Sequence, residues 1–255
     1  VNMGTCSSKF VTYVSQTRKA EGSYILEAGE KEESRQDWKE VSEEVKKIAT
    51  YVKVSKEMLE DLSFVRSEIN NDLIKGLTES IEDSLLNGGG LASINGLLSA
   101  GMGLPAFTGA GFTGANAIPN ANLSDLLRVA KAQVEGVNYT PTHVVLNPVD
   151  VAKLQLTKDS TGNYTYPIYL PEGGQMVISD MVVISSSYIQ ADKYILGDFS
   201  KVNVKMREGL GLSVGLDKDD FTRNMITILA EARLVQYVKD NQKEAFVTGT
   251  ISTDI

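Results

Sequence analysis

SFVRSEINNDLIKGLTESIEDSLLNGGG, residues 63–90, reads as one long helix with an abrupt stop. Asp61 or Ser63 can cap its start. Apolar residues recur at Val65, Ile69, Leu73, Leu77, Ile81 and Leu85, and Gly88, Gly89 and Gly90 end it. About 24 residues at 1.5 Å each give roughly 36 Å, well past the average globular helix. A strict i+4 spacing overshoots a full turn by about 40° per step, so the stripe wraps more than halfway round. The two ends must then pack on different elements, as the ends of a spine do. The glycines do not make a phosphate cradle, because phosphate binds amides at a helix N-terminus. These sit at a C-terminus, where the dipole is negative.

The rest of the composition sets bounds. A chain of 255 residues with 42% apolar and 23% charged content is ordinary for a globular protein with a real core. No apolar run reaches the roughly 18 to 20 residues that a membrane-spanning helix needs. The opening VNMGTCSSKF has no apolar signal region, and the missing methionine points to processing or to a sequence shown without its beginning. Cys6 is alone, which excludes an internal disulfide and fits a reducing compartment. His143, the single histidine, heads the apolar run HVVLN and reads as a structural histidine rather than a general base. Neither residue has the companions a zinc site requires, so no metal and no cofactor is expected. A net charge of -8 without a basic stripe argues against a protein that grips nucleic acid.

On either side of the helix the pattern changes. Residues 18–47, RKAEGSYILEAGEKEESRQDWKEVSEEVKK, mix both charge signs and contain few apolar groups. Such a segment cannot bury enough surface to fold compactly alone. It suits a two-stranded arm lying on a neighbour, with Tyr24, Ile25, Leu26 and Trp38 as its anchors. KIATYVKVS, 47–55, alternates like a strand entering the body. Residues 88–121 form a long irregular stretch rich in Gly, Ala, Asn and Pro. An α/β region follows, with Asn122 or Ser124 capping the helix LSDLLRVAKAQVEG, a strand at HVVLN, a helix at PVDVAKLQL and a turn at KDSTGNY. MVVISSSYI and DKYILGDF read as strands, and from Lys201 a long β alternation begins with VNVKM and LGLSVGL. NMITILAEARLVQYV fits a strand with Ile226, Ile228, Ala230, Ala232 and Leu234 on one face. It also fits a helical stripe, and its β-branched content favours strand.

Few motifs carry chemistry. GAGFTG, 109–114, matches the dinucleotide fingerprint, which needs a strand before it and a helix opening within it. Pro119 stands where that helix should run, and chance matches are easy in a glycine-rich segment. The glycosylation patterns at Asn122, Asn138 and Asn163 lack a secretory signal and are read as coincidence.

The stretch YVKVSKEMLEDLSFVRSEINNDLIKGLTESIEDSLLNGGG resembles the corresponding part of tailed-bacteriophage major capsid proteins of the Hong Kong 97 type. VVLNPVDVAKLQLTKDSTGNY resembles that family's second domain. ILGDFSK followed by DDFTRNMITILAEARL resembles its C-terminal part. The resemblance implies an α+β fold with a P-domain built from the spine helix and long strands, an extended E-loop and an α/β A-domain. Residues 1–13 would start the P-domain, 14–46 form the E-loop, and 47–90 the P-domain with its spine helix. The A-domain would take 91–205, the P-domain strands 206–237, and 238–255 a strand returning to the A-domain. The implied function is self-assembly through pentamers and hexamers into an icosahedral shell, a virion part assembled in the host cytoplasm. Its implied partners are copies of itself, a portal, decoration proteins and double-stranded DNA held as non-specific cargo, with no membrane. An encapsulin-type compartment stands as the alternative, and a soluble α/β nucleotide-cofactor enzyme using GAGFTG and His143 as a second.

One branch of that family welds its subunits by an isopeptide bond. The resemblance places Lys31 of EKEES at the lysine, Asn224 of TRNMIT at the asparagine and Glu231 of AEARL at the assisting glutamate. The amine would attack the carboxamide, the carboxylate would take a proton, and ammonia would leave. Glu30, Glu32 and Glu33 around Lys31 favour the ammonium form, which cannot attack. No turnover chemistry is expected of the chain.

Overall fold

The computed structural model describes residues 1–255 apart from 17–23, 26, 28, 32, 34–36, 62, 110, 113–117, 160 and 166–174. In chain order the elements are β1 (Asn2–Thr5), β2 (Phe10–Gln16), β3 (Trp38–Glu44), β4 (Lys46–Ser55), α1 (Lys56–Asp61), α2 (Ser63–Asn87), α3 (Leu123–Glu135), β5 (His143–Leu146), α4 (Pro148–Gln155), β6 (Val177–Ile178), β7 (Met181–Ser185), β8 (Lys193–Gly197), β9 (Asn203–Gly215), β10 (Met225–Tyr237), β11 (Phe246–Thr250) and α5 (Ile251–Asp254). They form a four-stranded sheet in the order β1-β9-β10-β4, a five-stranded sheet β11-β8-β5-β7-β6, and a two-stranded sheet β2-β3.

The spine helix α2 runs for 25 residues and ends where the glycines begin. The caps expected at Asp61 or Ser63 rest on side chains outside the described residues, and a short helix, α1, precedes it. Its drifting stripe works as the spacing predicts. Leu77 and Ile81 are buried in the core and Leu73 and Leu85 pack against it, beside Ala230, Ala232 and Leu234 of β10. The same core continues to Val145, Ile195 and Phe246 of the five-stranded sheet, so the far end of the helix meets a second body.

The stop is a packed reversal. Beyond Gly90, whose φ is +127°, the chain turns back and covers the helix end. The amides of Gly96, Leu97 and Leu98 donate to the carbonyls of Gly88, Leu85 and Leu86 at 2.6, 3.0 and 2.8 Å. Gln236 Nε2 donates to the Leu85 carbonyl as well. Carbonyls that a helix end leaves unpaired are thereby satisfied inside the protein.

Strand β10 settles the helix-or-strand ambiguity as strand. Ile228, Ala230, Ala232 and Leu234 are buried on one face, while Leu229, Glu231 and Arg233 on the other are half-buried. Strand β10 pairs antiparallel with β4 across Met225–Leu234 and with β9 across Thr227–Tyr237. VNVKM and LGLSVGL are one continuous strand, β9. The strand expected through MVVISSSYI is shorter, because only Met181–Ser185 pair. Strand β6 joins β7 through a turn in which Ser179 and Asp180 both take left-handed φ, at 49° and 62°.

Helix α3 is capped as expected. Asn122 accepts from the amides of Ser124 and Asp125 while Asp125 accepts from the Asn122 amide, a reciprocal box. It packs Leu126, Leu127, Ala130 and Val134 on Val144, Leu146, Tyr194 and Leu196 of the five-stranded sheet. GAGFTG lies outside any strand–turn–helix unit among the described residues. Gly109 and Gly111 sit in turns at φ +77° and +88°, and the next helix opens only at Leu123. Its remaining members Ala110, Thr113 and Gly114 fall outside the described residues.

Candidate assembly surfaces

The two-stranded sheet is an arm fixed at one end. Strands β2 and β3 pair antiparallel from Phe10↔Glu44 to Gln16↔Trp38. Because side chains alternate, Val11, Tyr13 and Ser15 face the body and Phe10, Val14 and Trp38 face away. On the inner side Tyr13 stacks on Tyr237, and Ser15, fully buried, shares hydrogen bonds with Asn241 at 3.4 Å. Burial, followed by the charges of Glu43 and Asp240, pushes the Tyr13 hydroxyl well above the ordinary phenol range. Burial likewise raises the Glu43 carboxyl, and Asp240 adds to it. The outer side is the reverse: Trp38 is 59% exposed, Phe10 and Val14 each 49%. Diagonal neighbours across two strands lie within reach of an aromatic ring, so Trp38 and Val14 form one apolar surface with no described residue of this chain over it.

Of the anchors read from sequence, Trp38 opens β3 on that outer face, Tyr24 is fully exposed, Ile25 is partly exposed, and Leu26 lies outside the described residues. Tyr13, Phe10 and Val14 were not singled out by the sequence reading. The alternation in FVTYVSQ was the signal that could have found them.

The three residues matched to the cross-linking pattern are not brought together within one chain. Lys31 is exposed. Asn224 sits at left-handed φ, 52°, just before β10, and its side-chain amide reaches Glu57 Oε1 at 3.4 Å. Glu231 lies about 23 Å further along the strand at its ordinary rise per residue, ion-paired with Lys47 of β4.

A folded knob joins β9 to β10. Asp220, buried within it, accepts from Lys53 Nζ at 2.8 Å, from Thr227 Oγ1 at 2.6 Å and from the Asp217 amide at 2.8 Å. The Lys53 ammonium, then the Thr227 hydroxyl, hold its carboxyl down to about 2. Outside it, Phe221 and Leu216 are exposed.

The polar residues at the sites suggested for catalysis have structural partners. His143 starts β5, with Nδ1 2.7 Å from Thr142 Oγ1 and its ring edge-on to Phe199. A cavity of about 350 Å³ beside Gly109 is lined by Phe107, Phe112, Leu126, Val129 and two carboxylates. Of these, Asp125 completes the α3 cap, and Asp254 accepts from Tyr194 and the Thr250 amide. Among the described residues no group of His, Cys, Asp and Glu is placed to hold a metal ion, and no helix is long and apolar enough to cross a membrane.

With this geometry in hand, known proteins can be set beside it. The model of the phage capsid family matches residues 1–251. The major capsid protein of Enterobacteria phage HK97 is 29% identical over 261 residues, covering 98% of this chain. The chain spans 63% of that relative's length. The capsid of an empty GTA particle superposes with a TM-score of 0.77 at 16% identity, over 98% of this chain and 87% of that one. A chain from Mycobacterium phage Adephagia does so at 0.72 and 13% identity, over 93% and 81%. The architecture is the α+β fold of the Hong Kong 97 type.

Proposed function

The chain belongs to the phage capsid family, and from that premise we propose that it is a major capsid protein. Its copies assemble through pentamers and hexamers into an icosahedral shell that encloses phage double-stranded DNA. The observation that carries this reading is the family match along residues 1–251 of a chain whose arm carries an apolar face that no described residue covers. A lone globular protein gains nothing from an exposed Trp38 beside Val14, whereas a subunit that lays its arm on a neighbour does. In this reading residues 1–13, 47–90 and 206–237 make the P-domain, 14–46 the E-loop, and 91–205 with 238–255 the A-domain. Portal and decoration proteins are further partners, and assembly takes place in the host cytoplasm. The net charge of -8 suits a wall that must enclose DNA without holding it down.

Many modest contacts multiplied by symmetry give such a shell its strength, and the chain itself performs no turnover chemistry. The test is electron microscopy of the purified protein across a concentration series. Closed uniform shells, or rings of five and six subunits, are expected. Monomers that persist at the highest concentration, checked by sedimentation, would overturn the reading. Particles filled with protein and free of nucleic acid would move it to a cargo compartment.

A further inference from the structure

The four-stranded sheet has two free edges, and they are treated differently. Strand β4, at one edge, carries Lys46, Lys47 and Lys53, the charged protection that keeps an edge strand from pairing with another chain. At the other side β1 covers β9 only from Asn203 to Met206. Beyond Met206 no described strand pairs with the outer edge of β9, and from Gly209 to Leu216 the sequence GLGLSVGL has neither charge nor proline.

That run alternates from Gly211 onward, after a one-residue shift in its register with β10 between Glu208 and Gly211. Leu212, Val214 and Leu216 share one face, and with Leu210 they are 37–60% exposed. Gly211, Ser213 and Gly215 make the other face almost bare backbone. Nothing in this chain lies within 4 Å of a side chain added at Gly209 or Gly215, so no contact of its own demands glycine there. Glycine inside a strand often marks the close approach of another backbone.

We propose that the outer edge of β9 pairs with the same edge of a second copy, antiparallel and about a twofold axis through Leu212. Antiparallel pairing about a residue keeps each side chain on its own face. Leu212 then meets the partner's Leu212, Leu210 meets the partner's Val214, and Gly211 meets the partner's Ser213. The two apolar faces merge into one stripe, and the uncharged run does not repel its own copy as the lysines of β4 would. An isologous contact of this kind closes on itself. A single short strand pair is far smaller than the roughly 800 Å² per partner of a standing interface, so it acts as one repeated link among many. The contact rests on the reading that copies of this chain assemble.

The experiment is disulfide trapping in a Cys6→Ser background, so that each variant carries only the thiols placed in it. Opposed residues of an antiparallel pair have α-carbons about 4.5–5.5 Å apart, within disulfide range. Leu212→Cys is expected to convert most chains to a covalent dimer on a non-reducing gel. Val214→Cys should not, because its two thiols would be about 13 Å apart along the strands. The double variant Leu210→Cys/Val214→Cys should give the same dimer with Leu212 intact, which covers a folding defect at that position. The reaction is run on assembled particles and on concentrated unassembled subunits. A dimer from Val214→Cys as strong as that from Leu212→Cys overturns the register. No dimer from either Leu212→Cys or the double variant, in particles or in subunits, overturns the contact, and shells that form without it leave the capsid reading standing.

Discussion

Tyr13 on the arm and Tyr237 at the end of β10 stack face to face, ring centroids 4.2 Å apart and planes 9° from parallel. This pair joins the arm to the sheet, since nothing else so large bridges them among the described residues. Tyr13→Ala should therefore loosen the arm more than the body. A stacked pair contributes about 0.5–1.5 kcal/mol beyond its area burial, so a loss of about 2 kcal/mol in unfolding stability is expected. Tyr13→Phe should keep most of it. Limited trypsin digestion reads the local effect: cleavage at Lys39 should accelerate in Tyr13→Ala, and an unchanged digestion rate counts against the anchor. The Tyr13 hydroxyl also predicts an alkaline response. Its folded value lies above the unfolded one, so its contribution is complete below pH about 10 and fades as pH rises further. Digestion of the wild-type arm should quicken in that range.

Asp220 gives the opposite dependence. Its folded value, about 2, lies below the ordinary 3.8 because Lys53 and Thr227 hold the carboxylate. The contribution is present above pH about 4 and is lost as pH falls toward 2. Asp220→Asn should melt earlier than wild type at pH 7, and the gap should narrow steadily between pH 4 and 2. A gap independent of pH would mean that the knob is held by shape rather than by charge.

The reversal after the spine helix makes a steric prediction. A side chain at Gly96 would press on the Gly88 amide and, at 2.7 Å, on the Leu86 carbonyl. Backbone cannot yield as a flexible side chain does, so Gly96→Ala should cost about 1–3 kcal/mol, the usual range for overpacking. Gly209→Ala, with open space around it, is the control and should change stability by less than about 0.5 kcal/mol. Chemical denaturation of the two variants compares them directly.

These residues also show what sequence could and could not reveal. Ile228, Ala230, Ala232 and Leu234 were legible because a strand with one face on a helix must alternate. Leu73, Leu77 and Ile81 were legible because a helix face recurs every turn. The partners of those faces were not. Strand β1 lies parallel to β9 from the far end of the chain, and β2 finds β3 across the charged segment; no local pattern encodes either pairing. Among candidate surface residues Trp38 stood out as the single tryptophan, whereas Tyr13 did not, since its role depends on where Tyr237 ends up.

Cross-linking between subunits offers a clean negative. Glu231 is ion-paired with Lys47 and Asn224 Nδ2 donates to Glu57 Oε1, so the two are engaged with different neighbours within one chain. Boiled, reduced particles should run only at the monomer mass of 27.7 kDa on a denaturing gel. A ladder of multiples that vanishes in Lys31→Arg would instead establish the isopeptide bond.

The division between folding and assembly can be tested with two residues of opposite setting. Leu77 is 1% exposed in the core between spine and sheet, and truncating it leaves a cavity there. Leu77→Ala should cost about 2–5 kcal/mol and impair assembly only by depleting folded subunits. Trp38 stands on the outer face of the arm with its ring largely in solvent. Trp38→Ala should change monomer stability by no more than about 0.5 kcal/mol, because little of its surface is buried in one chain. If a neighbour covers that ring in the shell, the same truncation removes a large aromatic contact from every subunit interface. The threshold concentration for assembly, followed by light scattering, should then rise at least about tenfold, the equivalent of 1.4 kcal/mol per contact. Assembly at the wild-type threshold would show that the arm binds by other residues. A large drop in monomer melting temperature would show that Trp38 belongs to the fold and not to the interface.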